Sequence, residues 1–196
     1  MVPTNELEGF RGAKGLRRYF AIGVSALLGV TVLVLATRPA PAQQAPHFQL
    51  PLLSGDGALS STDLRGSPVV LNFWQSACPP CRREAPLLES AWRRYRRRGV
   101  TIVGVNIEDT PSTARRFVRR FGITYPVVVD RDQRLAGALR VYGLPETFFI
   151  DRDWHLRATH GGRKLASGES MAVLGAISPR ELFSGIDSIA GEQSRG

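Results

Sequence analysis

At 196 residues the chain has room for one ordinary domain and an appendage. Its formal charge of +9 raises nucleic acid as a partner, yet the basic residues are almost all arginine and gather in "RRYRRR" (93–98) and "ARRFVRR" (114–120). Both runs fall on helical patterns whose apolar positions face the other way, so a solvated face accounts for them, no nucleic acid is expected, and attraction to anionic lipid headgroups is the use left to the charge.

Residues 1–18 are a short tail carrying Arg11, Lys14, Arg17 and Arg18. From Tyr19 to Thr37 nineteen residues pass without a charge. At about 1.5 Å rise per helical residue such a run crosses the ~30 Å hydrocarbon core, which predicts a transmembrane signal anchor. The positive flank before it predicts a cytoplasmic N-terminus and an extracytoplasmic remainder. A cleavable signal peptide ending at Ala40-Pro41-Ala42 is the competing reading; the apolar run is longer than the ~7–15 residues usual for one, which favours the retained anchor. Residues 38–46, with three prolines and no periodic apolar pattern, read as an extended spacer. The globular domain then occupies residues 47–190, with a short tail at 191–196.

Inside that domain, "VVLNFW" (69–74), "VTIVGVNI" (100–107), "PVVVD" (126–130) and "TFFID" (147–151) are short, β-branched or aromatic, and bounded by turn residues. They predict buried strands. Between them, residues 84–98 place Leu88, Trp92 and Tyr95 on one helical face, and residues 112–121 do the same with Ala114, Phe117, Val118 and Phe121. Strand and helix alternate, so the class is α/β. A hairpin is expected around Arg152-Asp153 and a loop at 161–168. Ser178, Pro179 and Glu181 make a capping-box start for a last helix.

The only cysteines, Cys78 and Cys81, lie between the first strand and the first helix. A structural disulfide closing so small a loop constrains the unfolded chain little. A zinc site needs about four ligands, and His47, His155 and His160 lack ligand spacing to the pair. A c-type haem site needs His directly after the second cysteine, where Arg82 stands. A redox dithiol remains. Cys78, following a strand and opening a helix, sits where unpaired N–H groups and the helix dipole favour a thiolate, so it is the attacking sulfur. Cys81, one turn inward, resolves the mixed disulfide.

The series "VVLNFWQSACPPCRREAP", "VTIVGVNIED", "YPVVVD" and "VYGLPETFFID" resembles the membrane-anchored thioredoxin-like thiol-disulfide oxidoreductases of the TlpA, ResA and CcmG (DsbE) group, over roughly residues 47–160. The resemblance implies a thioredoxin-like fold, a mixed central β-sheet flanked by helices. It implies that Cys78 and Cys81 are the redox pair and that Pro145 is a cis-proline facing them. It further implies a substrate surface drawn from Trp74, Ala77, Pro79, Pro80, Leu144, Glu146 and Thr147. Thioredoxins proper place a buried aspartate six residues before the first cysteine; here that position is Asn72, and an amide cannot take a proton. The resemblance passes the acid–base role to Glu108 or Asp109, either of which has the alternative of capping the helix that follows.

Two departures mark this chain. Relatives carry Trp directly before the first cysteine, where Ser76-Ala77 stands here, and Pro79-Pro80 supply no N–H to the Cys78 sulfur, which predicts a less acidic thiol. The function implied is reduction of disulfides in exported proteins such as apocytochrome c during cytochrome c maturation, with a transmembrane thiol reductase as the electron donor. No cofactor is needed beyond the redox-active disulfide. The alternative is a copper-delivery or metal-centre assembly module using the thiols as soft ligands. A general oxidant needs a more stabilised thiolate than the prolines allow, and a peroxidase needs threonine where Gln75 sits.

Overall fold

The structure, a computed structural model, describes residues 43–160 and 176–191. The apolar run 19–37 and the expected loop at 161–168 lie outside them. Among the described residues no helix is long and apolar enough to cross a membrane.

A small antiparallel pair, β1 (Gln49–Pro51) and β2 (Ala58–Ser60), precedes the main sheet. The main sheet is built from β3 (Val69–Trp74), β4 (Thr101–Asn106), β5 (Val127–Val129), β6 (Glu146–Ile150) and β7 (Leu156–His160), in spatial order β5-β4-β3-β6-β7. The first three run parallel, and β6 and β7 are antiparallel additions. This is the mixed sheet expected for a thioredoxin-like α/β fold. Every residue of β3 is buried, as a central strand covered on both faces requires.

The helices are α1 (Pro79–Tyr95), α2 (Pro111–Phe121), α3 (Arg134–Leu139) and α4 (Pro179–Ala190). α1 begins five residues before the apolar periodicity does. Pro79 and Pro80 occupy its first turn, where no intrahelical N–H is needed, while Pro86 sits inside it and leaves the Arg82 carbonyl without its helical donor. α1 passes into a 3₁₀ turn, Arg96–Arg98, that ends at Gly99 with φ 78°. α4 starts with the reciprocal capping box of Ser178 and Glu181. The hairpin at 151–155 is held by Asp151, whose Oδ1 accepts from the N–H groups of Asp153 and His155. α3 was not foreseen from the sequence.

Pleating divides β3 between two cores. Val69, Leu71 and Phe73 pack with α3 and the hairpin, whereas Val70 and Trp74 pack under α1, α2 and α4. Asn72 therefore points to the α1 side. α4 lies so close to the sheet that a Cβ at Gly185 would clash with the Phe149 ring. Residues 43–45, at the end of the expected spacer, join the domain: the Ala45 N–H donates to the Trp154 carbonyl and the Leu156 N–H to that of Gln43.

Candidate active site

β3 delivers the chain to Trp74, and the turn that follows closes with the Cys78 N–H on the Gln75 carbonyl at 3.3 Å. Cys78 is the N-cap of α1. With prolines at the next two positions, the first backbone donor available to its sulfur is Cys81, whose N–H reaches Sγ at 3.1 Å. Cys78 and Cys81 are disulfide-bonded, with Cα atoms 5.3 Å apart. Cys78 is 6% exposed and Cys81 2%, so Cys78 is the sulfur nearer to solvent.

The Leu144–Pro145 bond is cis. Register places it: β6 pairs Glu146 with Phe73, and one step further sets Pro145 opposite Trp74, at the edge of the turn that carries Cys78. Around the dithiol, Ala77 and Pro79 are exposed, and Ser76, Pro80 and Leu144 are half-buried. Tyr142, in the loop before Pro145, is 68% exposed and was missed by sequence reasoning. It is the one exposed large apolar side chain among the described residues.

Three expected substrate contacts are corrected by burial. Trp74 is enclosed, stacked on Phe117 with ring centroids 4.3 Å apart. Glu146 is buried and turned back on its own loop, with Oε2 accepting from the Tyr142 N–H at 3.2 Å. Thr147 is also buried, its Oγ1 accepting from Asn72 at 3.1 Å. These residues shape the surface from beneath and present none of it.

The two acid–base candidates part company. Glu108 is exposed, with φ 67°, and accepts from the Gln133 side chain at 3.3 Å. Asp109 instead grips the Cys78 turn. Its carboxylate accepts from the Ser76 N–H at 2.7 Å, the Ser76 hydroxyl at 2.6 Å and the Asn106 amide at 2.8 Å. Neither caps α2; Thr110 does, accepting from the Thr113 N–H.

A third carboxyl, Glu84, was read in the sequence only as the start of a helix. It lies three residues after Cys81 on α1, hence on the same face and one turn deeper. Oε1 accepts from Asn72 at 2.7 Å and Oε2 from the Ile177 N–H at 2.9 Å. Burial pushes its pKa up to about 7, against the lowering effect of those two bonds. The amide at the thioredoxin aspartate position thus takes no proton itself and donates to a carboxyl that does. Spacing alone, C-x-x-C-x-x-E with a polar residue on the facing strand, was the available signal. Among the described residues no third Cys, His, Asp or Glu groups with the two cysteines as a metal cluster would.

The profile of the AhpC/TSA family matches residues 41–159. The thiol-disulfide oxidoreductase ResA of Geobacillus kaustophilus is 38% identical over 121 residues, 62% of this chain and 69% of the relative. The thiol:disulfide interchange protein DsbE of Pseudomonas fluorescens biotype C is 38% identical over 118 residues, 60% of this chain and 64% of that one. Among solved structures, a thiol:disulfide interchange protein of the thioredoxin family from Chlorobium tepidum TLS superposes with a TM-score of 0.66 at 24% identity, covering 79% of this chain and all of its own, which bears on the fold.

Proposed function

The chain belongs to the AhpC/TSA family and is a thiol-disulfide oxidoreductase, and on that premise we propose that it works as an extracytoplasmic reductant of protein disulfides, tethered by the apolar segment 19–37. Its substrate in this reading is an exported protein such as apocytochrome c during cytochrome c maturation, whose haem-attachment cysteines must be dithiols. A transmembrane thiol reductase returns Cys78–Cys81 to the dithiol after each turnover.

The reaction is two exchanges. The Cys78 thiolate attacks one sulfur of the target disulfide; a mixed disulfide forms and the target's other sulfur leaves as a thiolate that takes a proton. Cys81 then gives its proton to the Glu84 carboxylate, directly or through one water, and attacks the Cys78 sulfur. The target's second sulfur leaves, and the Cys78–Cys81 disulfide closes. A carboxyl with a pKa near 7 is matched to this work near neutral pH, since it both accepts and returns a proton.

The observation that carries the reading is the pairing of a helix-capping, solvent-side Cys78 with a buried Glu84 one turn below Cys81. The test is the reduction potential of the Cys78–Cys81 pair. A value near the about −270 mV of thioredoxin is expected, and one near the about −120 mV of a strong oxidant sinks the reductant role. A Cys81→Ser variant, which halts after the first exchange, is expected to trap the substrate as a mixed disulfide.

A further inference from the structure

α2 carries Arg115, Arg116, Arg119 and Arg120 and no acidic residue. Phe117 and Ala114 fix its rotation by burying into the core, Phe117 against Trp74 at the end of β3. That anchoring turns Arg116, Arg119 and Arg120 toward a cleft of about 570 Å³ whose other wall is Ser76 and Arg82. Phe121 lines the same cleft, and the Arg120 guanidinium lies over its ring at 5.8 Å. Ser76 stands two residues before Cys78 and Arg82 directly after Cys81, so one wall of the cleft is built from residues that flank the dithiol in the chain.

Arg93 pairs with Glu89 and Arg157 with Asp151, but among the described residues neither Arg82 nor any arginine of α2 is in an ion pair. Arg82 donates through Nε to the Ser76 carbonyl at 2.8 Å, and Arg116 donates to the Thr113 hydroxyl at 3.1 Å. Asp109, which bonds the Ser76 wall of the cleft, has both carboxylate oxygens engaged by Ser76 and Asn106. Four guanidinium groups around one apolar-floored cleft repel each other until an anionic occupant arrives.

We propose that this cleft docks an acidic stretch of the protein whose disulfide is exchanged at Cys78, so that partner choice is set by carboxylates flanking the target cysteine. The role rests on the chain acting on protein disulfides. A substrate chain that leaves Cys78 on the side of Ser76 and Arg82 runs along this wall. The planar fork of arginine meets carboxylates in two-point hydrogen bonds, and Phe121 offers an apolar surface between them.

The test uses the full chain in neutral detergent and two synthetic peptides with the same disulfide, one flanked by Glu and the other by Gln; neutral hydroxyethyl disulfide reports the dithiol chemistry alone. A roughly ten-fold preference in kcat/KM for the Glu peptide is expected at low salt, three or so exposed charge pairs supplying it. It is expected to vanish near 1 M salt, where the Debye length is about 3 Å. Arg116→Gln/Arg120→Gln is expected to lose the preference, and the charge-matched Arg96→Gln/Arg97→Gln to keep it. Equal rates on the two peptides, or a preference that survives in the α2 variant, overturn the proposal. So does an effect of the α2 arginines seen only after reconstitution into anionic vesicles, which assigns the face to lipid. If all three disulfides resist reduction, the reductase reading fails instead.

Discussion

Glu84 and Glu89 lie five residues apart on α1, and both are buried, yet their neighbours shift their proton affinities in opposite directions. Burial raises the pKa of each. At Glu89 that effect is overcome by the Arg93 guanidinium at 2.7 Å and by the hydroxyl and N–H of Thr124, so its carboxyl is held below the usual range. At Glu84 the donors are neutral, an amide and a backbone N–H, and burial wins. A cation decides whether a buried carboxyl is a fixed anion or a proton carrier. Glu89 ties the loop after α2 to α1, whereas Glu84 is left able to titrate behind the dithiol. Tyr125, fully enclosed, has its phenol pushed far up by burial and then by these two acids, so it stays neutral.

The largest expected effect that separates the pair is on stability against pH. Glu84 binds its proton more tightly folded (about 7) than unfolded (4.5), so its favourable contribution is complete below pH 4.5 and is lost as pH rises through 7. The difference amounts to about 3 kcal/mol at 1.36 kcal/mol per unit. Glu89 has the opposite sign: its contribution is present above pH 4.5 and is lost on acidification below it. Urea denaturation from pH 4 to 8 is expected to show the neutral-side decline in the parent and in Glu89→Gln but not in Glu84→Gln. A decline that persists without Glu84 breaks the comparison.

Next in size is catalysis. Glu84→Gln is expected to slow disulfide exchange at pH 7 by about 10²-fold, the low end of general acid–base effects, and to remove a pKa near 7 from the pH–rate profile. Glu89→Gln is expected to leave that profile's shape intact. Glu89→Ala is expected to cost about 2 kcal/mol, because the Thr124 N–H loses a charged acceptor; equilibrium unfolding at pH 7 measures it.

The smallest changes act on the partners. Asn72→Ala removes a bond that lowers the Glu84 pKa, so the pH–rate inflection is expected to move above 7. Arg93→Gln is expected to cost less than about 1 kcal/mol, since the arginine side chain is 64% exposed and screened.

How much of this could be read in the residues differs by region. The four strands of the main sheet that carry β-branched or aromatic runs, the capping box at Ser178 and the strand–dithiol–helix order were legible, because each is encoded within a few consecutive residues. α3 was not, for its six residues span fewer than two helical turns and cannot show a period. Trp74, Glu146 and Thr147 had the right chain positions for substrate contact and the wrong environment, since α2 covers the first and β3 pairs with the strand of the other two.

Local sequence determined that Cys78 caps a helix, that Cys81 stands one turn inside, and that prolines leave Cys81 as the first N–H the outer sulfur can receive. Only the tertiary structure decided which carboxyl on α1 is buried with a raised pKa. Glu84 depends on Asn72 from a strand twelve residues back and on Ile177 ninety-three residues ahead. Desolvation is a property of everything packed around a group, and no window of sequence contains it.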